Sequence, residues 1–507
     1  TVTDDAESFK SALGGLSARG GLDCPEPAMR GAYEALSASD EGGDLYIFTD
    51  ASVKDAALSG SVYSLAAKKD HRVVFALSGS CSPLDPIYYK LAQNTGGQVF
   101  IVDPSEAGAV AEFADLITKN DAAAILSTGG TLSAAPKSYV FPVDSATSRL
   151  IVSVSATAWA RISVFRPDGS EVDEGNPGVR SVLTTAAIIY AIDAPQSGKW
   201  KIEVKSLDES ASGEPGEFSI LVNGQSNLSL NKFRFVELGG RPGHQGAFPI
   251  TGYPMAGREI HALTELSEEA KNVTFEFRRY NGEVLGTFSM AQSSDPYTPE
   301  VRFGKVRVPN STFFVYALGE DSHGAKFQRL LPNAFIPQRV SIVAPIAVGL
   351  PAGQVTSYLF KVENTGPADS FRFVALDNRN FVASVTPATA TLANGASAVI
   401  RVDVRPPAGT AAGTLDTLTF TAESTTQSDV RNFAVLESAV IAPPPAGDVT
   451  RDGRTDCDDL EMIRLSFGEK VGQRAFNPLV DLDANGIVDA RDLATVARRM
   501  PTGTVCK

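Results

Sequence analysis

The segment KWKIEVK at residues 199–205 puts Trp200, Ile202 and Val204 on one side of an extended chain and Lys199, Lys201, Glu203 and Lys205 on the other. Period two is the mark of a strand with one face packed and one face in water. The same alternation recurs at Tyr358, Phe360 and Val362, at Ile400, Val402 and Val404 against Arg401, Asp403 and Arg405, and at Val273, Phe275 and Phe277. From about residue 120 to 440 the chain keeps this pattern, broken by Gly, Pro and Asn turns, so antiparallel sheets stacked face to face are expected. Divided at a size of about 110 residues, the stretch gives three β-sandwiches of Ig-like or jelly-roll type at 120–230, 231–338 and 339–440.

Residues 1–119 read differently. Apolar runs at 45–48 (LYIF), 73–77 (VVFAL) and 99–102 (VFIV) alternate with helical patterns near 5–13, 26–38, 55–67, 83–94 and 105–118. This order predicts an α/β unit, with parallel strands and helices on both faces. At the other end a Pro-rich linker, 441–446, precedes a small module at 447–507. The chain is therefore expected to be multidomain, α/β followed by all-β, with a small helical unit last.

That last unit carries two near-copies of one loop, DVTRDGRTDCDD at 448–459 and DLDANGIVDARD at 481–492. A hard cation such as calcium takes six to eight oxygens, and a twelve-residue loop supplies them from positions 1, 3, 5, 7, 9 and 12 around a glycine at 6. The first copy offers Asp448, Thr450, Asp452, the Arg454 carbonyl, Asp456 and Asp459, with Gly453 at the turn. The second offers Asp481, Asp483, Asn485, the Ile487 carbonyl, Asp489 and Asp492, with Gly486 at the turn. Each loop runs into an amphipathic pattern, Leu460, Ile463 and Leu465 after the first and Leu493, Val496 and Met500 after the second. Two calcium ions are expected here, although acidic solvated turns would share the composition.

The 59 acidic against 45 basic residues leave a net charge of -14 in 507 residues, which repels nucleic acid and anionic lipid. No apolar run approaches the length of a membrane span. Cys24 and Cys81 lie in the first region, Cys457 and Cys506 in the last. Two disulfides within domains, and hence an oxidising compartment, or four buried thiols would both fit. The chain starts at Thr1 without Met or a signal-peptide pattern, so the end reads as processed or truncated.

The two half-hands with Asp at position 12 resemble a type I dockerin over residues 447–507. That likeness implies a module that folds on calcium and docks to a cohesin-like or cell-surface receptor. The family's recognition positions are here Cys457 and Asp458, then Ala490 and Arg491. A Cys457–Cys506 bridge would occupy one of them.

GGLDCPE at 20–26, LYIFTDASVKD at 45–55, SGSC at 78–81 and TGGQVF at 95–100 look like a von Willebrand factor A domain, in the version that opens hemicentin-like extracellular proteins. GKWKIEV at 198–204, QSNLSL at 225–230 and FQRLLP at 327–332 are similar to the sandwiches that follow it. The resemblance implies a partial Rossmann-like A domain and a Cys24–Cys81 bridge. It also implies a metal site at the top of the sheet, in which Asp50 matches the third-loop acid and Asp23 lies in the second loop. The chain begins near the end of what would be the third strand. The missing half is expected to have been cleaved, to be simply not included, or to come from a separate fragment.

The sequence has four histidines, His71, His244, His261 and His323, and neither an HExxH helix nor a GxSxG elbow. Asp144, Asp168 and Asp173 read as turn formers. No catalytic residue and no organic cofactor are expected. The leading expectation is a secreted, non-catalytic calcium-binding adhesion or interaction protein. The alternatives are an accessory or processed portion of a secreted hydrolase, and a structural subunit of a surface fibre.

Overall fold

The computed structural model describes residues 3–506 apart from 18–23, 79–84, 103–121, 185–186, 208–215, 240–245, 428–429, 451–453 and 474. It divides into two compact units, Thr1–Phe248 with Glu259–Phe335, and Pro249–Arg258 with Ile336–Lys507.

The first unit opens with three parallel strands, Gly43–Thr49, His71–Leu77 and Val99–Ile101, side by side in chain order. Val73 to Leu77 are all buried, as a continuous apolar run in a parallel strand should be. Helices Ala28–Ala38, Ser59–Lys68 and Pro86–Asn94 pack on this sheet, with the Tyr88 ring 4.7 Å from that of Phe75. The expectation of helices on both faces is corrected among the described residues. Val74, Phe100 and Val102 are covered by a second sheet, through Ile151, Val182, Ile189 and Ala191. The cause lies in the covering strands, since Ala187 to Ile192 are apolar on both faces and all buried. The helical pattern at 105–118 lies outside the described residues.

That second sheet has five strands, in the order Ala122–Thr131, Glu217–Gln225, Arg149–Ala156, Ala187–Asp193 and Val179–Leu183. With Lys137–Val143, Gly198–Ser206 and Ala160–Phe165 opposite, it encloses a core of Phe141, Val154, Trp200, Ile202 and Ile220. Trp200 is fully buried and donates its indole N–H to the Gln196 carbonyl at 2.8 Å. RPDGS at 166–170 forms the expected turn, with Gly169 in the left-handed region at φ +87°. A further pair of sheets follows, in which Phe233 and Phe235 of strand Leu230–Gly239 meet Phe277 and Phe288 of strands Lys271–Arg278 and Val284–Phe288 edge to face or tilted.

These two pairs of sheets are joined by a buried ion pair. Arg329, on strand Lys326–Leu330, reaches Asp144 at 2.7 Å, and both side chains are wholly shielded from solvent. The same guanidinium also donates to the carbonyls of Leu228 and Gln328 and to the Ser226 hydroxyl. Around the pair, Gln328 donates to the Ile125 carbonyl at 2.8 Å and Thr128 to the Tyr280 carbonyl at 2.7 Å. Asp144 does accept from Ala146 as a turn former would, but its burial against Arg329 is the larger fact. The sequence reading missed it.

In the second unit, strands Val340–Val343, Thr356–Asn364, Ser397–Val404 and Val382–Thr386 form one sheet. Leu350–Pro351, Arg431–Ile441, Leu415–Ser424, Asp369–Asp377 and Thr389–Leu392 form the other. Phe360 and Phe420 stack between them with centroids 4.2 Å apart. Residues 249–258, placed by the sequence reading in the sandwich before, belong to this unit. The Asn432 amide oxygen accepts the Tyr253 N–H at 2.8 Å. Gly252, at φ +65°, leaves no room for a Cβ, which would lie 2.2 Å from that same oxygen.

Two buried acids stand out on this second unit. Asp377 accepts the N–H groups of Arg379, Phe381 and Val382. Desolvation first, and then the Asp377 carboxylate, push nearby Asp416 up to about 7 against the pull of Arg379.

Two outcomes are expected. Arg329→Met strands Asp144 as a buried, uncompensated charge and should cost about 3–5 kcal/mol in urea unfolding of the first unit, while Asp144→Leu in the same chain should return a large part of it. For Asp416, a folded pKa of about 7 above an unfolded value near ~3.9 means the fold binds the extra proton. Its contribution is therefore complete below about pH 4 and is lost as pH rises towards 7. Asp416→Asn should raise the thermal midpoint relative to the native chain at pH 8 and leave the difference small or reversed at pH 4.

Candidate metal centre

The two acidic loops close in the same way where both are described. In the second, Asp481 accepts the N–H groups of Asn485 and Gly486 at 3.1 and 2.9 Å, Asp483 accepts Asn485, and the Asn485 side chain accepts Ile487. Gly486 sits at φ +88° and Ala484 at φ +52°, so the chain turns sharply where the glycine was expected. Asp492 closes the loop, one oxygen accepting Leu482 N–H at 2.7 Å and the other Asp489 N–H at 2.8 Å. In the first loop Asp459 does the same, accepting Val449 and Thr450 with one oxygen and Asp456 with the other. Asp456 and Asp489 then cap helices Cys457–Ser466 and Ala490–Ala497, as short acidic side chains at a helix start do.

This wiring buries carboxylates. Asp448, Asp459, Asp481 and Asp492 are each 6% exposed or less. Oxygens of Asp481, Asp483 and Asp492 lie within 4.8 Å of one another, and the guanidinium of exposed Arg491 comes no nearer than 4.0 Å to Asp483. Desolvation, with Asp492 and Asp483 adding repulsion, pushes Asp481 up to about 6 despite its backbone hydrogen bonds. Hydrogen bonds to N–H groups use only some of the lone pairs on these oxygens. A compact set of hard anionic oxygens with that electrostatic debt fits a cation such as calcium. In the first loop Asp448, Thr450, Asp456 and Asp459 are in equivalent places, while Asp452 and Gly453 lie outside the described residues.

The helices and loops share a small core of Val449, Ile463, Phe476, Val480, Val488 and Val496. The amphipathic reading needs two corrections. Leu465 is 67% exposed, because it falls on the outer side of its helix, and Met500 lies beyond the helix end at Ala497, although it still packs on the core. Cys457 is bonded to Cys506, which ties loop position 10 to the end of the chain.

At the other end of the chain, Asp50 is exposed just after strand Gly43–Thr49, and Asp23 lies outside the described residues. Among the described residues no further acid, His or Cys cluster joins Asp50 at ligand distance. Cys24 is disulfide-bonded, and Cys81, its expected partner, lies outside the described residues. Ser145, Asp321 and His323 do meet, with the Ser145 hydroxyl 3.3 Å from His323 Nδ1. Asp321 accepts Ser145 and backbone N–H groups rather than the imidazole. These bonds hold Asp321 below the usual carboxylate range against the desolvation that opposes them. Without an acid to orient the imidazole the arrangement is not a triad.

Residues 1–104 match the von Willebrand factor A domain family, residues 126–230 the hemicentin galactose-binding domain-like family, and residues 344–442 the VWA7 Ig-like domain family. Over part of its length the chain is similar to hemicentins and to von Willebrand factor A domain-containing protein 7. It is 26% identical to mouse Hemicentin-1 over 363 residues, which is 68% of this chain and 6% of that protein. It is 24% identical to human von Willebrand factor A domain-containing protein 7 over 414 residues, 75% of this chain and 44% of that one, and 30% identical to the rat protein over 287 residues, 52% and 30%. The chain thus spans less than half the length of these relatives. No described helix is long and apolar enough to cross a membrane.

The Cys457–Cys506 bond closes a loop with a sequence separation of 49, for which the chain-entropy model gives about 4 kcal/mol. Cys457→Ser with Cys506→Ser should lower the unfolding midpoint of the C-terminal repeat, read by hydrogen exchange of 457–466 and 490–497, and leave strand 198–206 unchanged.

Proposed function

We propose that this chain is an extracellular, non-catalytic adhesion or interaction protein whose C-terminal repeat is held in shape by two calcium ions and presents a docking surface to a protein partner. The observation that carries the reading is the convergence of Asp481, Asp483 and Asp492 within 4.8 Å, in a loop whose closing hydrogen bonds are repeated by Asp456 and Asp459 in the first. The A-type domain and the hemicentin and VWA7 relatives support the extracellular and adhesive part. A disulfide at Cys457 supports an oxidising compartment.

In the second loop Asp481, Asp483, Asn485, the Ile487 carbonyl, Asp489 and Asp492 would hold one ion. In the first, Asp448, Thr450, Asp452, the Arg454 carbonyl, Asp456 and Asp459 would hold the other. Calcium supplies the positive charge that lets these carboxylates stay ionised and close together. The protein's own part is preparatory. Backbone N–H groups orient the acids, and the two capping boxes set each helix at the end of its loop. A partner of the dockerin–cohesin kind would then read the exposed helix surfaces.

Titration calorimetry of the full chain with calcium is the test. Two ions per chain are expected, and at free calcium one hundred times Kd the repeat should gain about 2.7 kcal/mol of stability for each site filled. Asp481→Asn with Asp492→Asn should abolish one site and leave the other. Absence of binding at millimolar calcium would remove the proposal.

A further inference from the structure

Strand Thr356–Asn364 alternates as its sequence predicts, with Tyr358, Phe360 and Val362 in the core between the two sheets. Leu359 points the other way, where water is expected, yet it is only 3% exposed. What covers it is the C-terminal repeat, since Leu359 packs in one cluster with Val449, Val480, Val488 and Val496.

The contact is made at the second acidic loop. A Cβ on Gly486 would lie 3.9 Å from the Leu359 side chain and 3.7 Å from Val471, and one on Gly472 would lie 2.9 Å from the Lys361 side chain. The segment 468–472 is tied in turn to the loop. Gly468 N–H donates to Val488, Val488 N–H to Glu469, and Val471 N–H to the Gly486 carbonyl, at 2.8, 3.0 and 2.9 Å. Lys470 and Ile487 form an antiparallel bridge. Ile487 is the residue whose carbonyl occupies loop position 7. Between the oxygens of the loop and the sheet there is thus one layer of backbone and one leucine.

We infer that the cation in the second loop governs how firmly the repeat is held on this sheet, with Leu359 as the link, so that calcium turns repeat and sandwich into one rigid piece. This rests on the calcium reading above. Without the cation, repulsion among Asp481, Asp483 and Asp492 opens the loop, Gly486 and Val471 lose their fixed positions, and Leu359 loses its cover. Of the described residues of the first loop, Val449 alone shares this cluster, and that loop serves mainly the repeat's own fold. Coupling of this kind is reciprocal, because whatever calcium adds to the Leu359 contact, that contact adds to calcium affinity by the same factor.

Two measurements on the full chain test the coupling. In calorimetry, Leu359→Ser should weaken one of the two calcium sites by about fivefold or more and leave the other unchanged, the weakened site being the one that Asp481→Asn with Asp492→Asn removes. In hydrogen exchange of the unaltered chain, calcium should slow residues 356–364 together with 468–473. Equal affinities in the Leu359→Ser and unaltered chains, or slowing confined to 481–492, would overturn the coupling while leaving calcium binding intact. Absence of calcium binding in the unaltered chain would instead defeat the earlier reading, and this one with it. Because Leu359 lies outside the sandwich core, loss of the whole fold in Leu359→Ser is not expected, and if it occurs the exchange of the unaltered chain decides.

Discussion

A sheet with apolar side chains on both faces cannot leave either face in water, and that constraint organises both units of this chain. A sandwich satisfies it on the inside only. Here strands such as Ala187–Asp193 and Arg149–Ala156 are buried on their outer side as well, and the parallel sheet supplies the cover through Val74, Phe100 and Val102. On the next junction Ala124 packs with Phe314, Tyr316 and Leu330. In the second unit one outward leucine, Leu359, is covered by the C-terminal repeat. Elements that read as separate beads along the sequence are therefore packed into larger bodies, because their outer faces are not finished for solvent.

Apolar contact between sheets is non-directional and would permit sliding. Polar groups set the register. Asp144 and Arg329, fully buried, favour an arrangement in which every guanidinium nitrogen finds an acceptor. Gln98 plays a similar part under the parallel sheet, its amide oxygen taking the Ser153 hydroxyl at 2.7 Å. Buried ion pairs add little net stability compared with well-packed apolar groups, but breaking one is costly. Their effect here is on orientation: sheets displaced by one residue would leave a buried charge without its partner.

Alternation made the strands legible, and the examples from Trp200 to Val404 bury the side predicted except at Val273, which stays partly exposed where the strand's pairing shifts between Lys271 and Thr274. The three parallel strands and most of the early helices were legible too, because apolar runs and helical periods differ in length as well as rhythm. Contacts between elements were not. Asp144 in a loop looks like any turn aspartate until Arg329, far along the chain, arrives beside it. The segment 249–258 has no period at all, so nothing local assigned it to Asn432. Leu359 did leave a trace, as an apolar residue on the polar side of an alternating strand, and such a breach of pattern marks a second packing surface. In the acidic loops the one-dimensional signal was strongest, since turn, ligand type and helix cap are all set within twelve neighbouring positions.

The small C-terminal repeat shows why its features occur together. A unit of this size encloses too little apolar volume to fold firmly on a core alone, and small scaffolds compensate with disulfides, metals or a neighbour's surface. Its fully buried apolar set amounts to a few valines, one isoleucine and one phenylalanine. To these it adds the Cys457–Cys506 bond and a leucine borrowed from the adjoining sheet. Against them stand four aspartates driven almost wholly out of solvent, an arrangement that opposes folding unless a positive charge is brought in. The acids are thus a liability for the bare chain, one that the calcium proposed above would offset. A repeat balanced in this way depends on its surroundings for shape: the chain's own sheet and, on the reading proposed above, a bound cation.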